Sequence, residues 1–185
     1  MTTAVLDANV LFPAPLRDYL LHLAEQKLYI PKWTDEIHEE WITSLLTKRK
    51  DLSRKSLESA RKAMNEAFPD SNIVRYKVAI KTLRLPDEKD RHVLAAAIKA
   101  EADCIVTFNT RDFPTSYVKS FGIISKHPDA FVEQLIADHG PQSLKALENQ
   151  TDRLRNPPKS KAEVLEALKR CGLAKSAVLL ESRLS

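Results

Sequence analysis

Glycine is scarce, with three in 185 residues, and cysteine occurs twice. Cys104 and Cys171 stand far apart and show no metal-type spacing, so neither a disulfide framework nor a cysteine-built zinc site is expected. Cys104 lies in an apolar run, where a free cysteine behaves as a small hydrophobe. Nothing calls for an oxidising compartment, so a cytoplasmic location is expected. No apolar stretch approaches the roughly 18 residues of a membrane span, and no membrane partner is expected. The opening residues, Met1 to Asp7, have neither the basic nor the apolar region of a secretory signal; they read as the first strand of a domain. Internal repeats and low-complexity tracts are lacking as well.

What is present is a globular composition, 43% hydrophobic and 29% charged. The length suits one ordinary domain with a small appendage. The formal charge of +4 and a pI near 9.0 lean mildly toward polyanions. The distribution is more informative than the total. The distinctive acids sit at the ends of apolar segments, while lysine and arginine are spread elsewhere. A basic surface around a carboxylate cluster suits a metal site that meets phosphate.

Ala4–Leu6 reads as a strand ending in Asp7, and helical periodicity runs from Leu11 to Gln26. Leu28–Ile30 reads as a second strand, stopped by Pro31. Thr34 and Ser53 are candidate caps for helices reaching about Lys48 and Phe68. Ile73-Val74 reads as a short strand, Asp87 to Ala100 as a helix, Asp103–Thr107 as a buried strand and Ile123-Ile124 as another. Pro128 opens a further helix to about Asp138. Short apolar strands alternating with helices predict a parallel sheet covered on both faces. Gly140-Pro141 breaks that pattern, and the rest of the chain reads as helical only. The expected division is an α/β domain over 1–139 and a C-terminal helical extension over 140–185. Within the extension Asn156–Lys159 is a linker, Ser160–Glu163 a capping box and Gly172 a helix C-terminal residue.

In parallel α/β sheets ligands bind just beyond the carboxyl ends of the strands. Asp7 and Asn9 follow the first strand there, and Thr107, Asn109 and Asp112 end or follow the Asp103–Thr107 strand. Asp90 shares a helical stripe with Leu94, Ala97 and Ile98, with Asp87 one turn earlier and more exposed. Glu40 flanks the apolar stripe of Ile37, Trp41 and Leu45. Carboxylates brought together repel one another and stay ionised only beside a compensating cation. Oxygen-only donors favour Mg²⁺ or Mn²⁺ over zinc. Such ions activate water and neutralise charge in phosphodiester hydrolysis.

Asp7-Ala8-Asn9, Thr34…Glu40, Asp87-Glu88-Lys89-Asp90…Leu94-Ala95-Ala96-Ala97 and Val106–Phe113 together resemble the PIN-domain signature, in order as well as in residue type. The resemblance covers roughly residues 3 to 137 and is closest to VapC-like toxins of type II toxin–antitoxin systems. It implies a three-layer α/β/α sandwich with a five-stranded parallel sheet. It implies that Asp7, Glu40, Asp90 and Asp112 form the catalytic, metal-binding quartet. Asn109 stands where many relatives carry another aspartate, Thr107 would hydrogen-bond within the site, and Asp87 and Asn9 would support it. It further implies endonucleolytic cleavage of RNA, silencing by a cognate antitoxin, and a homodimer. The tail from about Gly140 matches nothing in the core pattern.

Each residue also has a plainer reading. Asp7 alone can end a strand, Asp87 and Asp90 can complement a helix dipole, Asp112 can cap a helix, and Glu40 can be a solvated helix residue. His92 falls off the Asp90 stripe and reads as structural or exposed, as does His38. Trp33 and Trp41 read as core. Arg111 and Lys89 border the site as phosphate-steering or merely solvated charges. Two other functions compete: a catalytically silent binding module for RNA or protein, motivated by Asn109, and a phosphotransfer or receiver domain. A haloacid-dehalogenase site wants Asp-x-Asp after the first strand, where Asn9 replaces the second acid, and a receiver wants an adjacent acidic pair near the first strand and a lysine after the last; neither pattern is evident.

Overall fold

The computed structural model describes residues 1–184, which form two compact units. One comprises Thr2–Phe12 and Ile30–Lys126; the other comprises Met1, Pro13–Tyr29 and the chain from His127 onward. Among the described residues no helix is long and apolar enough to cross a membrane.

The first unit is built on four parallel strands, β1 (Thr3–Leu6), β2 (Ile30–Lys32), β3 (Cys104–Val106) and β4 (Ile124–Lys126). Their spatial order is β2-β1-β3-β4, with Ala4 opposite Pro31 on one side and Cys104 on the other. Ala4, Val5, Leu6, Ile105 and Val106 are wholly buried, as their unbroken apolar runs require. Around the sheet the chain forms α1 (Ala8–Leu11), α3 (Asp35–Lys48), α4 (Arg54–Ala67), α5 (Arg91–Lys99) and α6 (Thr115–Lys119). Thr34 and Ser53 cap α3 and α4 by accepting the Ile37 and Ser56 amides. Helix α5 packs on β1 and β3. Trp33 and Trp41 lie in the core, at 0% exposure.

The sheet has four strands where five were expected. Ile73-Val74 does not extend it: the contact there is a single bridge between Trp33 and Asn72, supported by the Ile73 amide on the Trp33 carbonyl at 2.8 Å. Val74 turns out to solvent and Arg75 takes φ 60°, and a left-handed residue ends extended backbone. The second strand begins at Ile30, not Leu28, and runs through Pro31. Ile30 N–H donates to Thr2 O at 2.9 Å, so the N–H that proline lacks falls on the outer side of the strand.

The second unit is helical: α2 (Ala14–Glu25), α7 (Pro128–Asp138), α8 (Gly140–Arg153), α9 (Lys161–Arg170) and α10 (Ala174–Leu184). The helix expected from Leu11 onward is split at Phe12-Pro13, because Pro13 has no N–H to donate back. Helix α2 packs on α8, and α10 packs on α7 and α9. Tyr29 meets Phe131 edge-on, with ring centroids 5.0 Å apart. The Ser160–Glu163 capping box is complete, and Gly172 takes φ 95° after α9. Asp129, in the first turn of α7, caps α10. Its Oδ1 accepts the Ser176 amide at 2.9 Å and the Ser176 hydroxyl at 2.6 Å, and its Oδ2 accepts the Lys175 amide at 3.0 Å. Burial acts most strongly on this carboxyl and raises it, yet these donors together outweigh burial and hold it below its ordinary value.

Candidate active site

The end of β1 is tied to the end of β3. Asp7 N–H donates to Val106 O at 3.1 Å, continuing the strand pairing into the aspartate. Every donor then converges on its carboxylate from nearby. Oδ1 accepts the Ala8 amide at 2.7 Å, and Oδ2 accepts the Thr107 hydroxyl at 2.6 Å and Asn9 Nδ2 at 2.8 Å. Thr107 is fully buried. Its hydroxyl oxygen in turn accepts Asn9 Nδ2 and the Asn109 amide, both at 3.0 Å. Asn9 Oδ1 takes the Phe108 amide at 3.1 Å. The loop after β3 is therefore folded around two side chains that follow β1. Burial raises the Asp7 carboxyl more than any other influence, and the Glu40 charge adds to it. The Thr107 and Ala8 hydrogen bonds and His92 pull the other way, and the net direction is up.

A second pair joins α3 to α5. Glu40 Oε1 lies 2.8 Å from His92 Nε2, and His92 is only 5% exposed. His92 Nδ1 is buried with no partner among the described residues, so the imidazole's polar contact goes to Glu40. Burial lowers the imidazole most, but the Glu40 hydrogen bond and the charges of Glu40, Glu36 and Asp7 raise it further than burial lowers it.

Asp90 feels the charges of both Asp7 and Glu40. It ends a 3₁₀ turn over Glu88–Asp90 and begins α5, and its side chain makes no capping bond. Asp87 caps the turn by accepting the Lys89 amide at 2.9 Å, and its side chain is exposed. Asp112 ends a 3₁₀ turn over Thr110–Asp112, half-buried. The Asp90 carboxyl is pushed up to about 7, first by burial and then by the charges of Asp7, Asp112, Asp87 and Glu40 in turn.

That imbalance is what a cation would relieve. Among the described residues no group of three His, Cys, Asp or Glu is placed to hold a metal ion. The carboxylates of Asp7, Glu40, Asp90 and Asp112 are not drawn into one coordination shell, but their chemistry, oxygen throughout, suits a hard divalent ion that keeps several of its waters and does not suit zinc.

The structure thus brings Asp7, Asn9, Thr107 and the Asn109 backbone into direct contact. It places Asp7, Asp112, Asp87 and Glu40 within electrostatic reach of Asp90. Asn109 engages through its amide, and its side chain is exposed. His92 is the residue that sequence reasoning undervalued. Periodicity misled because α5 is buried on every side from His92 to Ala97, so no stripe marks an inner face. His38 is structural: its Nδ1 accepts Trp41 Nε1 at 3.0 Å.

Comparison with known proteins completes the picture. A family model described as the PIN domain matches residues 3–111, more than half of the chain. The chain belongs to the PIN-domain family. Residues 128–182 of this PIN-domain chain match a second model, described as the VapC50 C-terminal domain, so the helical tail has a counterpart of its own. The chain is also similar to a Mycobacterium tuberculosis protein named "Putative ribonuclease VapC50", at 35% identity over 80 residues. That match covers 43% of this chain and 47% of the relative, about half of each. No solved structure matches the chain.

Proposed function

We propose that this PIN-domain protein is an endoribonuclease dependent on Mg²⁺ or Mn²⁺, and that it is the toxin half of a toxin–antitoxin pair. The observation that carries the reading is the set of carboxylates brought near Asp90: Asp7, Asp112, Asp87 and Glu40 each add to the rise that burial gives its carboxyl. Asp7, Glu40, Asp90 and Asp112 would hold the ion, which supplies an activated water and charge neutralisation at the phosphate. Thr107 and Asn9 fix the Asp7 carboxylate by two hydrogen bonds to Oδ2, leaving it no freedom to turn away. His92 fixes Glu40 in the same way from α5. RNA is the substrate, a cognate antitoxin the partner and a second copy the companion, in the cytoplasm. These assignments are supported by the family and by the similarity to a protein named as a ribonuclease.

The test is expression of wild type and Asp90→Ala from a tightly repressed promoter, with colony survival and total RNA followed together. Wild type is expected to arrest growth and produce discrete RNA fragments, and Asp90→Ala to do neither. Equal harmlessness of two soluble proteins would count against the toxin reading. A silent binding module is the alternative reading, with turnover at any metal concentration the result that removes it. Its motive is Asn109, which offers an exposed amide side chain in place of an aspartate and meets Thr107 only through its backbone N–H.

A further inference from the structure

Between the Trp33–Asn72 bridge and the Asp87–Asp90 turn the chain forms a strap that lies outside the carboxylate network. Over residues 74–84 it carries four basic residues, Arg75, Lys77, Lys81 and Arg84, and no acidic one. All four are exposed, and so are Val74 and Val78, the latter at 89%. Elsewhere on the same unit Arg49, Arg54, Arg61 and Arg91 are each paired with a carboxylate. On the strap Lys77 has Glu36 at 3.7 Å, and among the described residues Arg75, Lys81 and Arg84 have no ion-pair partner.

The strap is anchored. Ile73 N–H donates to Trp33 O at 2.8 Å, and the Tyr76 hydroxyl donates to Glu36 Oε2 at 3.0 Å. Leu83 and Leu85 are buried, and the Arg84 amide donates to the Tyr117 hydroxyl at 3.0 Å. Its 3₁₀ segment, Lys77–Thr82, packs on α5, the helix that Asp90 begins. Arg75 is held at φ 60°, a conformation that a non-glycine residue adopts only when its surroundings impose it. Uncompensated cations are thus fixed on a segment that packs on α5 and runs into the turn carrying Asp87 and Asp90.

We infer that this strap is the surface that grips the RNA phosphate backbone and presents it to the carboxylate site. The inference rests on the nuclease reading. A cluster of carboxylates repels a polyanion, so the approach of RNA needs positive charge close by to offset it. An acidic protein is the other occupant that such charge would suit. RNA is favoured because the strap leads straight into the turn that carries Asp87 and Asp90 and packs against the helix behind it.

The experiment measures binding of a fluorescein-labelled single-stranded RNA to the full chain by anisotropy, in EDTA so that nothing is cleaved, from about 50 to 200 mM salt. Wild type is compared with Arg75→Ala/Lys81→Ala/Arg84→Ala. A control of equal charge, Lys50→Ala/Lys55→Ala/Lys62→Ala, lies on and before α4. Each lost phosphate contact lowers the log–log salt slope by about 0.7, so the strap variant should lose about 2. Over that range its affinity then falls roughly 20-fold less than that of wild type. The pair Lys81→Ala/Arg84→Ala spares the left-handed Arg75 and should lose about 1.4, which covers the case in which the triple variant does not fold.

A strap variant with the wild-type slope overturns the inference, as does a control that loses as much. The first result is also what an acidic protein occupant would give. The two readings fail separately. Wild type that cleaves RNA with Mn²⁺ while the strap variant keeps its slope leaves the nuclease and removes the strap. Wild type that binds RNA through the strap and never cleaves it leaves the strap and removes the nuclease.

Discussion

Asp90→Asn is expected to stabilise the metal-free protein. The carboxyl rises from 3.8 to about 7 on folding. That rise would correspond to about 4 kcal/mol if all of it were a cost of holding the charge. Asp90 is only half-buried, and solvent screening reduces the figure to about 1–2 kcal/mol. Against this stands the loss of a negative charge at the N-terminus of α5, worth about 0.3–1 kcal/mol. No side-chain capping bond is lost with it. The net gain is about 1 kcal/mol, or a Tm higher by about 2–4 °C. Its pH dependence follows from the direction of the shift. The folded state holds this proton more tightly than the unfolded state, so the folded state is favoured at low pH. That advantage is lost as pH rises from about 4 toward 7. The stability gap between variant and wild type should therefore open over that window and be full at about pH 8. Thermal unfolding in EDTA at both ends of the range measures it, and Mn²⁺ should then raise the wild-type Tm and leave that of the variant behind. A variant less stable than wild type in EDTA at about pH 8, or a gap that ignores pH, would refute the reasoning.

Three further outcomes are expected. Thr107→Val removes one of the two donors to Asp7 Oδ2 and the acceptor of the Asn109 amide; it should cost about 1–3 kcal/mol in urea unfolding, and a loss below about 0.5 kcal/mol would contradict the network. His92→Ala frees Glu40 and should weaken Mn²⁺ binding by about 10-fold, read by titration calorimetry without RNA. Asp129→Ala removes the α10 cap and should cost about 2 kcal/mol at neutral pH. Because the Asp129 carboxyl is held low, its stabilisation exists above the unfolded value and is lost as pH falls, so this difference should close below about pH 4.

Helix caps were legible because they depend on local chemistry. Thr34, Ser53 and the Ser160–Glu163 box act as their sequences indicate. The parallel sheet followed from apolar runs alternating with helices. The fifth strand did not form because Arg75 turns left-handed, and a sequence pattern carries no φ angle. Pro31 stood as a stop signal, but it is harmless on an outer strand, which only the topology reveals. At the site, Asp7 and Thr107 sit at strand ends, where sequence position alone suffices to nominate them. The pairing of Glu40 with His92 joins residues 52 apart on two helices. Neither helix's own periodicity encodes that distance.

The central claim is that the carboxylates hold a divalent ion that hydrolyses RNA. Purified wild type and Asp7→Asn, incubated with a structured RNA in EDTA and in Mn²⁺, test it most directly. Cleavage is predicted by wild type in Mn²⁺ alone, with Asp7→Asn silent in both. Cleavage in EDTA, or equal cleavage by Asp7→Asn, would contradict it.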